Sequence, residues 1–288
     1  MILQKEIASQ SELQKIPKST IDKDWALGHF LAAIYSETEL KEVLVFKGGT
    51  CLKKCWFPDY RFSEDLDFTS RSASFQLTRK HLESVCLHLK NNIGLLTHIS
   101  SLVPLKSKDK LTGYEAIIRF WGADHSQKEN PPAPERWLTS IKIEIILYEN
   151  LIFPPILKPI NHTYSDQIFL DPNLVPCYSI EEVLSEKIRA LIQRSYTAPR
   201  DFFDIWYLMR NNPDLDYSLL ADGFHRKMEF KGLTFSGIEQ LINPRNDKSL
   251  KDAWKNSLAH QLPPQLQTDY EPVRNELLII FKKMFANE

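Results

Sequence analysis

Apolar positions recur at helical spacing after Ser19-Thr20. Trp25, Leu27, Phe30, Leu31 and Ile34 share one side of IDKDWALGHFLAAIYSE, which predicts a core-packing helix. The pattern then shortens. EVLVF at 42–46 is β-branched and aromatic, as a buried strand is, and it runs directly into Lys47-Gly48-Gly49-Thr50. A helical CLKKCW follows, and the alternation of DLDFT predicts a second strand. Residues 75–91 carry a helical pattern. Strand patterns return at 114–121 (YEAIIRFW) and 138–148 (LTSIKIEIILY), on either side of a polar, Pro-rich insertion at 126–134.

Pro154, Pro155 and Pro159 end the last strand pattern and open an irregular connection. From Ser179 the character changes. Ser179 and Glu182 have the spacing of a capping box ahead of VLSEKIRALIQR. Helical patterns follow near 200–211, 217–229, 248–258 and 270–286, with no convincing strand among them. The expectation is an α+β fold in two lobes. Residues 1–178 form a lobe built on a mixed sheet, and residues 179–288 form a mainly helical lobe that completes an active-site cleft. No internal repeat is visible.

Composition narrows this reading little. The 288 residues hold 36 Lys plus Arg against 37 Asp plus Glu, and 43% are apolar, an ordinary globular mixture that excludes disorder, collagen and coiled coil. No apolar run approaches the ~18 residues a membrane span requires, and the N-terminal MILQKEIASQ is charged where a signal peptide is apolar, so a cytoplasmic protein with no membrane partner is expected. Cys51, Cys55, Cys86 and Cys177 form no Cys-x-x-Cys pair; Cys51 and Cys55 stand one helical turn apart in a segment otherwise unlike a zinc site, and all four read as reduced, mostly buried thiols. The near-neutral sum conceals one local run: residues 187–200 include four basic side chains and no acidic one.

Three features carry candidate chemistry. Glycines number only 9, so the Gly48-Gly49 pair between a strand and a helix stands out as a place where backbone amides can approach a phosphate; a tight turn without a ligand accounts for it equally well. Asp65 and Asp67, two apart on a strand, point to one face while Leu66 and Phe68 point to the core. Such carboxylates repel unless a cation such as Mg²⁺ lies between them, although a solvated strand face also carries a bare Asp-x-Asp. In SIKIEIILY, the alternation of Ile141, Ile143 and Ile145 leaves Lys142 and Glu144 on the opposite face. Were this strand the neighbour of DLDFT, Glu144 would complete a three-carboxylate cage and Lys142 could meet a phosphate.

On the helix after Ser179, Lys187 and Arg194 are seven positions apart, roughly 20° around the axis, at the edge of the face formed by Leu184, Ile188, Leu191 and Ile192. They suit phosphate contact, or alternatively a snorkelling role over an apolar rim. Arg189 points elsewhere and reads as a surface charge. Asp201 and Asp204 share one side of the next helix, beside a core stripe of Phe202, Trp206 and Met209. Asp204 could orient Lys187 or Arg194, act as a base, or serve as a local polar partner; Arg200 and Asp201 read as architecture.

The stretch KGGTCLKKCWFPDYRFSEDLDF resembles the opening signature of the AbiEii/AbiGii toxin family of nucleotidyltransferases, in the DNA polymerase β superfamily. SEKIRAL, Arg194 and the RDFFD run resemble its later motifs, so the matching segments cover 43–68, 141–147 and 179–208 in order. The resemblance implies a metal-dependent transfer of a nucleoside monophosphate from an NTP, with Mg²⁺ (or Mn²⁺) on Asp65, Asp67 and Glu144. It implies nucleotide contacts from Lys47, Gly48, Gly49, Thr50, Ser63, Lys142, Lys187 and Arg194, and catalytic importance for Lys187 and Asp204. It further implies an acceptor such as the tRNA 3′ end, a toxin–antitoxin or phage-defence setting, and a cognate antitoxin as partner. Two departures are visible: Thr50 and Ser63 are the hydroxyls available where the superfamily has Gly-Ser, and Glu144 stands where many relatives have Asp. A protein-modifying transferase and a catalytically silent protein of the same fold are the alternatives.

Overall fold

The computed structural model describes residues 1–126, 128–194 and 198–286. Its elements run α1 (Gln4–Gln14), α2 (Lys18–Ser36), α3 (Thr38–Val43), β1 (Leu44–Lys47), α4 (Gly48–Cys51), β2 (Asp65–Ser70), α5 (Arg79–Ile93), β3 (Leu96–Ser107), β4 (Lys110–Trp121), β5 (Ser140–Ile146), β6 (Ile156–Lys158) and β7 (Val175–Cys177). The helices α6 (Ile180–Gln193), α7 (Pro199–Asn211), α8 (Tyr217–Phe230), α9 (Asp247–Ala253) and α10 (Tyr270–Met284) follow. The fold is α+β with a mixed sheet, and its chain divides into two compact units. The first holds Met1–Glu149 and Pro155–Cys177, the second Asn150–Pro154 and Tyr178–Glu288.

The first unit is a seven-stranded sheet in the order β3-β4-β5-β2-β1-β7-β6. β1 pairs antiparallel with β2, whereas β2 and β5 are parallel and adjacent. One face of the sheet is buried. Leu66 and Phe68 of β2, Ile141, Ile143 and Ile145 of β5, and Ala116, Ile118 and Phe120 of β4 alternate onto it, and α2 and α5 pack on the sheet. On the other face these strands carry half-buried side chains, mostly polar (Asp65, Asp67, Lys142, Glu144, Glu115, Arg119) with Ile117, Trp121 and Ile146 among them, as period-2 alternation allows when one face meets the core and the other does not.

Some elements differ from the sequence expectation. Glu42 and Val43 close α3, so the first strand starts at Leu44. Leu96–Ser107 forms a strand that the pattern did not reveal, because it is an edge strand with one buried residue, Ile99, and it tolerates Pro104. α4 continues into a π-turn at Leu52–Trp56, closed by Phe57 N–H donating to the Leu52 carbonyl at 2.8 Å.

In the second unit, α6 packs against both α7 and α8. Half of the expected capping box forms: Ser179 Oγ accepts from Glu182 N–H at 3.2 Å, but the Glu182 carboxylate does not return to Ser179. It accepts instead from the amides of Ile152 and Phe153, at 3.0 and 2.8 Å, and pairs with the Lys227 ammonium at 2.6 Å. Lys227 and Glu182 are both wholly buried. A short segment, Asn150–Pro154, is thereby fastened to α6 and α8, with Lys227 Nζ also donating to the Asn150 carbonyl. No helix among the described residues is long and apolar enough to cross a membrane.

Candidate active site

The two glycines lie where β1 gives way to α4. Gly48 has φ of +81°, and a Cβ there would stand 2.4 Å from Asp67 Oδ2. Only glycine meets both constraints. A Cβ on Gly49 would stand 2.8 Å from Arg61 Nη2 and 2.9 Å from Ser63 Oγ, so the turn presses against a buried guanidinium and the Ser63 hydroxyl. Thr50 is buried and its hydroxyl donates to the Asp65 carbonyl at 2.5 Å, tying the turn to β2. Its hydroxyl is therefore engaged by the protein, and Ser63 is the half-exposed one.

Strand pairing sets the carboxylates in rows. Lys47 opposes Asp67, Asp67 opposes Glu144, and Glu144 opposes Glu115 of β4; one step along, Asp65 opposes Lys142. Adjacent partners on one face bring side chains together, so Asp67 and Glu144 are direct neighbours. Lys142 Nζ lies 3.7 Å from Asp65 Oδ2 and 3.7 Å from Glu144 Oε2. Burial pushes the Asp67 carboxyl up to about 6, with the charges of Asp65 and Glu144 adding to the rise and those of Lys47 and Lys142 opposing it. At Lys142 burial favours the neutral amine, but Asp65, Glu144, Asp67 and Glu115 outweigh it and hold the ammonium above its ordinary range.

Oxygen donors from three carboxylates, with a surplus of negative charge that two ammonium groups do not cancel, suit a hard divalent cation. The fit is incomplete in one respect. Among the described residues, the groups of three ligand atoms lying within 4.8 Å of one another are Cys51–Cys55–Cys177 and His29–His162–Asp166; the three carboxylates are less tightly gathered. Their backbones are already adjacent, so rotation of side chains is what convergence on an ion requires. Glu115, which sequence reasoning passed over, faces the same row; the alternation of YEAIIRFW placed it there, and only the pairing of β4 with β5 makes that placement matter. Arg61 gave no signal in sequence, being one charge in a loop.

The other expected residues gather in the second unit. Lys187 Nζ lies 2.8 Å from Asp201 Oδ1 and 2.8 Å from Asp204 Oδ2, and Arg194 pairs with Asp201. Asp204 is wholly buried. Arg194 is the residue after α6, in extended conformation, so it meets Asp201 from off the helix rather than along its face. Ser195, Tyr196 and Thr197 lie outside the described residues. Arg189, expected on the surface, is 5% exposed, because α6 is covered from two sides.

No match is found among curated protein sequences. Solved structures of similar fold include MenT4, a nucleotidyltransferase toxin of Mycobacterium tuberculosis H37Rv, at 16% identity and a TM-score of 0.60 over 99% of both chains. A putative nucleotidyltransferase from H. pylori shares 20% identity at a TM-score of 0.50 over 91% of this chain and 97% of that one. JHP933 from Helicobacter pylori shares 18% at 0.50 over 91% and 92%. At such identities these likenesses speak for the fold. The sequence profile of the AbiEii nucleotidyl transferase toxins, a type IV toxin–antitoxin system, matches residues 29–275 and so spans the glycine turn, the paired carboxylates and the Lys187 cluster alike. By that match over most of its length, the chain belongs to the AbiEii family of nucleotidyltransferase toxins.

Proposed function

We propose that the chain transfers a nucleoside monophosphate from an NTP to the 3′-terminal hydroxyl of tRNA, and that a cognate antitoxin restrains it. The observation that supports the transfer chemistry is the register of β2 against β5, in which Asp67 lies beside Glu144 at the foot of the Gly48 turn; the acceptor and the antitoxin are inferred from membership of the toxin family. In the reaction the acceptor oxygen attacks the α-phosphorus, the bond from that phosphorus to the bridging oxygen breaks, and pyrophosphate leaves. Asp65, Asp67 and Glu144 are the residues to hold Mg²⁺ or Mn²⁺. When bound, such an ion supplies charge neutralisation at the phosphates and the departing pyrophosphate.

The chain's own groups account for the rest of the proposal. Gly48 and Gly49 let the phosphates approach the backbone, and Ser63 offers the hydroxyl beside them. Lys47, buried next to Asp67, offsets carboxylate charge; Lys142 exchanges its two carboxylate partners for a phosphate. Lys187 and Arg194 are phosphate contacts, and Asp204 positions Lys187, since it is buried against that ammonium rather than open to an acceptor hydroxyl.

The test incubates the full chain with Mg²⁺, each α-labelled NTP in turn, and bacterial tRNA or whole lysate, with Asp67→Ala alongside. Label on tRNA that requires Asp67 is the expected result. Label on protein instead moves the acceptor to a protein hydroxyl, and no label with any NTP from folded protein overturns the proposal.

A further inference from the structure

Three of the four cysteines converge under the glycine turn. Cys51 ends α4, Cys55 sits in the π-turn that continues it, and Cys177 comes from β7, where it is the strand partner of Phe46 on β1. All three are buried, and their sulfur atoms lie within 4.8 Å of one another. Cys86, the fourth, is half-buried and stands apart.

Buried thiols pack well as small apolar groups, and that role alone would explain their burial. Lys54 is accounted for by its buried pair with Asp24 at 2.7 Å, but the packing role does not explain the positive potential that Lys158, in addition to Lys54, lends to Cys55, from which a thiolate gains and apolar packing does not. Nor does it explain why two distant segments bring sulfur to one point in a chain that has so little of it. Soft thiolates gathered in this way select thiophilic d¹⁰ cations over the hard ions that carboxylates prefer.

We propose that Cys51, Cys55 and Cys177 bind a thiophilic cation of the zinc or copper(I) class, at a site separate from the carboxylate row. Three thiolates on such an ion leave net negative charge, which Lys158 offsets together with the Lys54–Asp24 pair, whose ammonium end lends positive potential to Cys55. The bound ion ties the end of α4 to β7 and so fixes the base of the Gly48-Gly49 turn; its role is structural.

The test begins with the full chain purified without chelator and analysed for zinc and copper per chain. One equivalent is expected, retained in Cys86→Ser and in Asp67→Ala, and reduced more than tenfold in Cys55→Ser and Cys177→Ser. Because those two variants could unfold, the reduced and metal-stripped wild-type chain is also titrated with Co²⁺, where a thiolate-to-cobalt charge-transfer band saturating at one equivalent is expected. Competition against a zinc-chelating dye and against bicinchoninate for copper(I) then tells the two ions apart. Absence of bound metal together with absence of binding by the reduced chain to Co²⁺ and copper(I) overturns the proposal. So does a count of two rather than four titratable thiols in the freshly isolated, denatured protein, which would mean that the cluster holds a disulfide.

Discussion

Gly48 and Asp67 constrain each other closely enough to yield two predictions. Gly48→Ala places a methyl group 2.4 Å from Asp67 Oδ2 in a left-handed conformation, and it should cost about 1–3 kcal/mol of stability and abolish transfer. Denaturant titration and the labelled-NTP assay check the two effects. Asp67 itself has its pKa raised to about 6, so the folded state binds its proton more tightly than the unfolded chain does. Its contribution therefore favours the native state below the ordinary carboxylate range and turns against it as pH rises through about 6. Asp67→Asn should thus raise the thermal midpoint at pH 8 in metal-free buffer, by about 1–3 kcal/mol in free energy, with the gain vanishing near pH 4. If the variant instead melts lower at pH 8, the carboxylate crowding described here is wrong. Divalent cation should diminish the wild-type's pH dependence without affecting that of Asp67→Asn.

At the scale of elements, what was legible in sequence was whatever alternation or spacing alone decides. DLDFT and SIKIEIILY show which side chains share a face, and the placement of Asp65, Asp67 and Glu144 opposite the core is legible that way; that β2 and β5 are neighbours, and that Glu115 joins the row, depends on pairing partners that no strand specifies by itself. β3 is not legible because an edge strand needs little apolar surface, and β7 because three residues leave no period. Periodicity located the apolar side of α6 but not how many elements cover it, so Arg189 was misplaced. The capping residue Ser179 was legible, whereas the destination of Glu182 was not, since its partners come from Ile152, Phe153 and Lys227. Removing one member of such a buried pair leaves the other charge uncompensated. Glu182→Ala should therefore lower the stability of the second unit by about 3–5 kcal/mol, measured as lost hydrogen-exchange protection in α6 and α8.

For the whole molecule, the sequence division after residue 178 and the compact units differ at Tyr178, which goes with the helices, and by one excursion: Asn150–Pro154 belongs with the helices, although it precedes β6 and β7 of the sheet. A fragment of residues 178–288 lacks the amides that Glu182 accepts from and the carbonyl that Lys227 donates to. It should melt at lower temperature than the same helices in the full chain, a comparison that circular dichroism makes directly. Equal melting would show that the short segment contributes nothing.

That excursion also orders events in time. During synthesis the segment at residue 150 emerges about 77 residues before Lys227, a wait of roughly 4–15 s at ~5–20 residues per second. Glu182 emerges within that interval to accept the amides of Ile152 and Phe153, but the Asn150 carbonyl still lacks its ammonium; β1 likewise waits for β7 before its second edge is covered. The residues of the sheet unit are all made once Cys177 has emerged, whereas the helical unit closes only when Lys227 reaches a segment made long before it, so Asn150–Pro154 is synthesised with the first unit and used by the second.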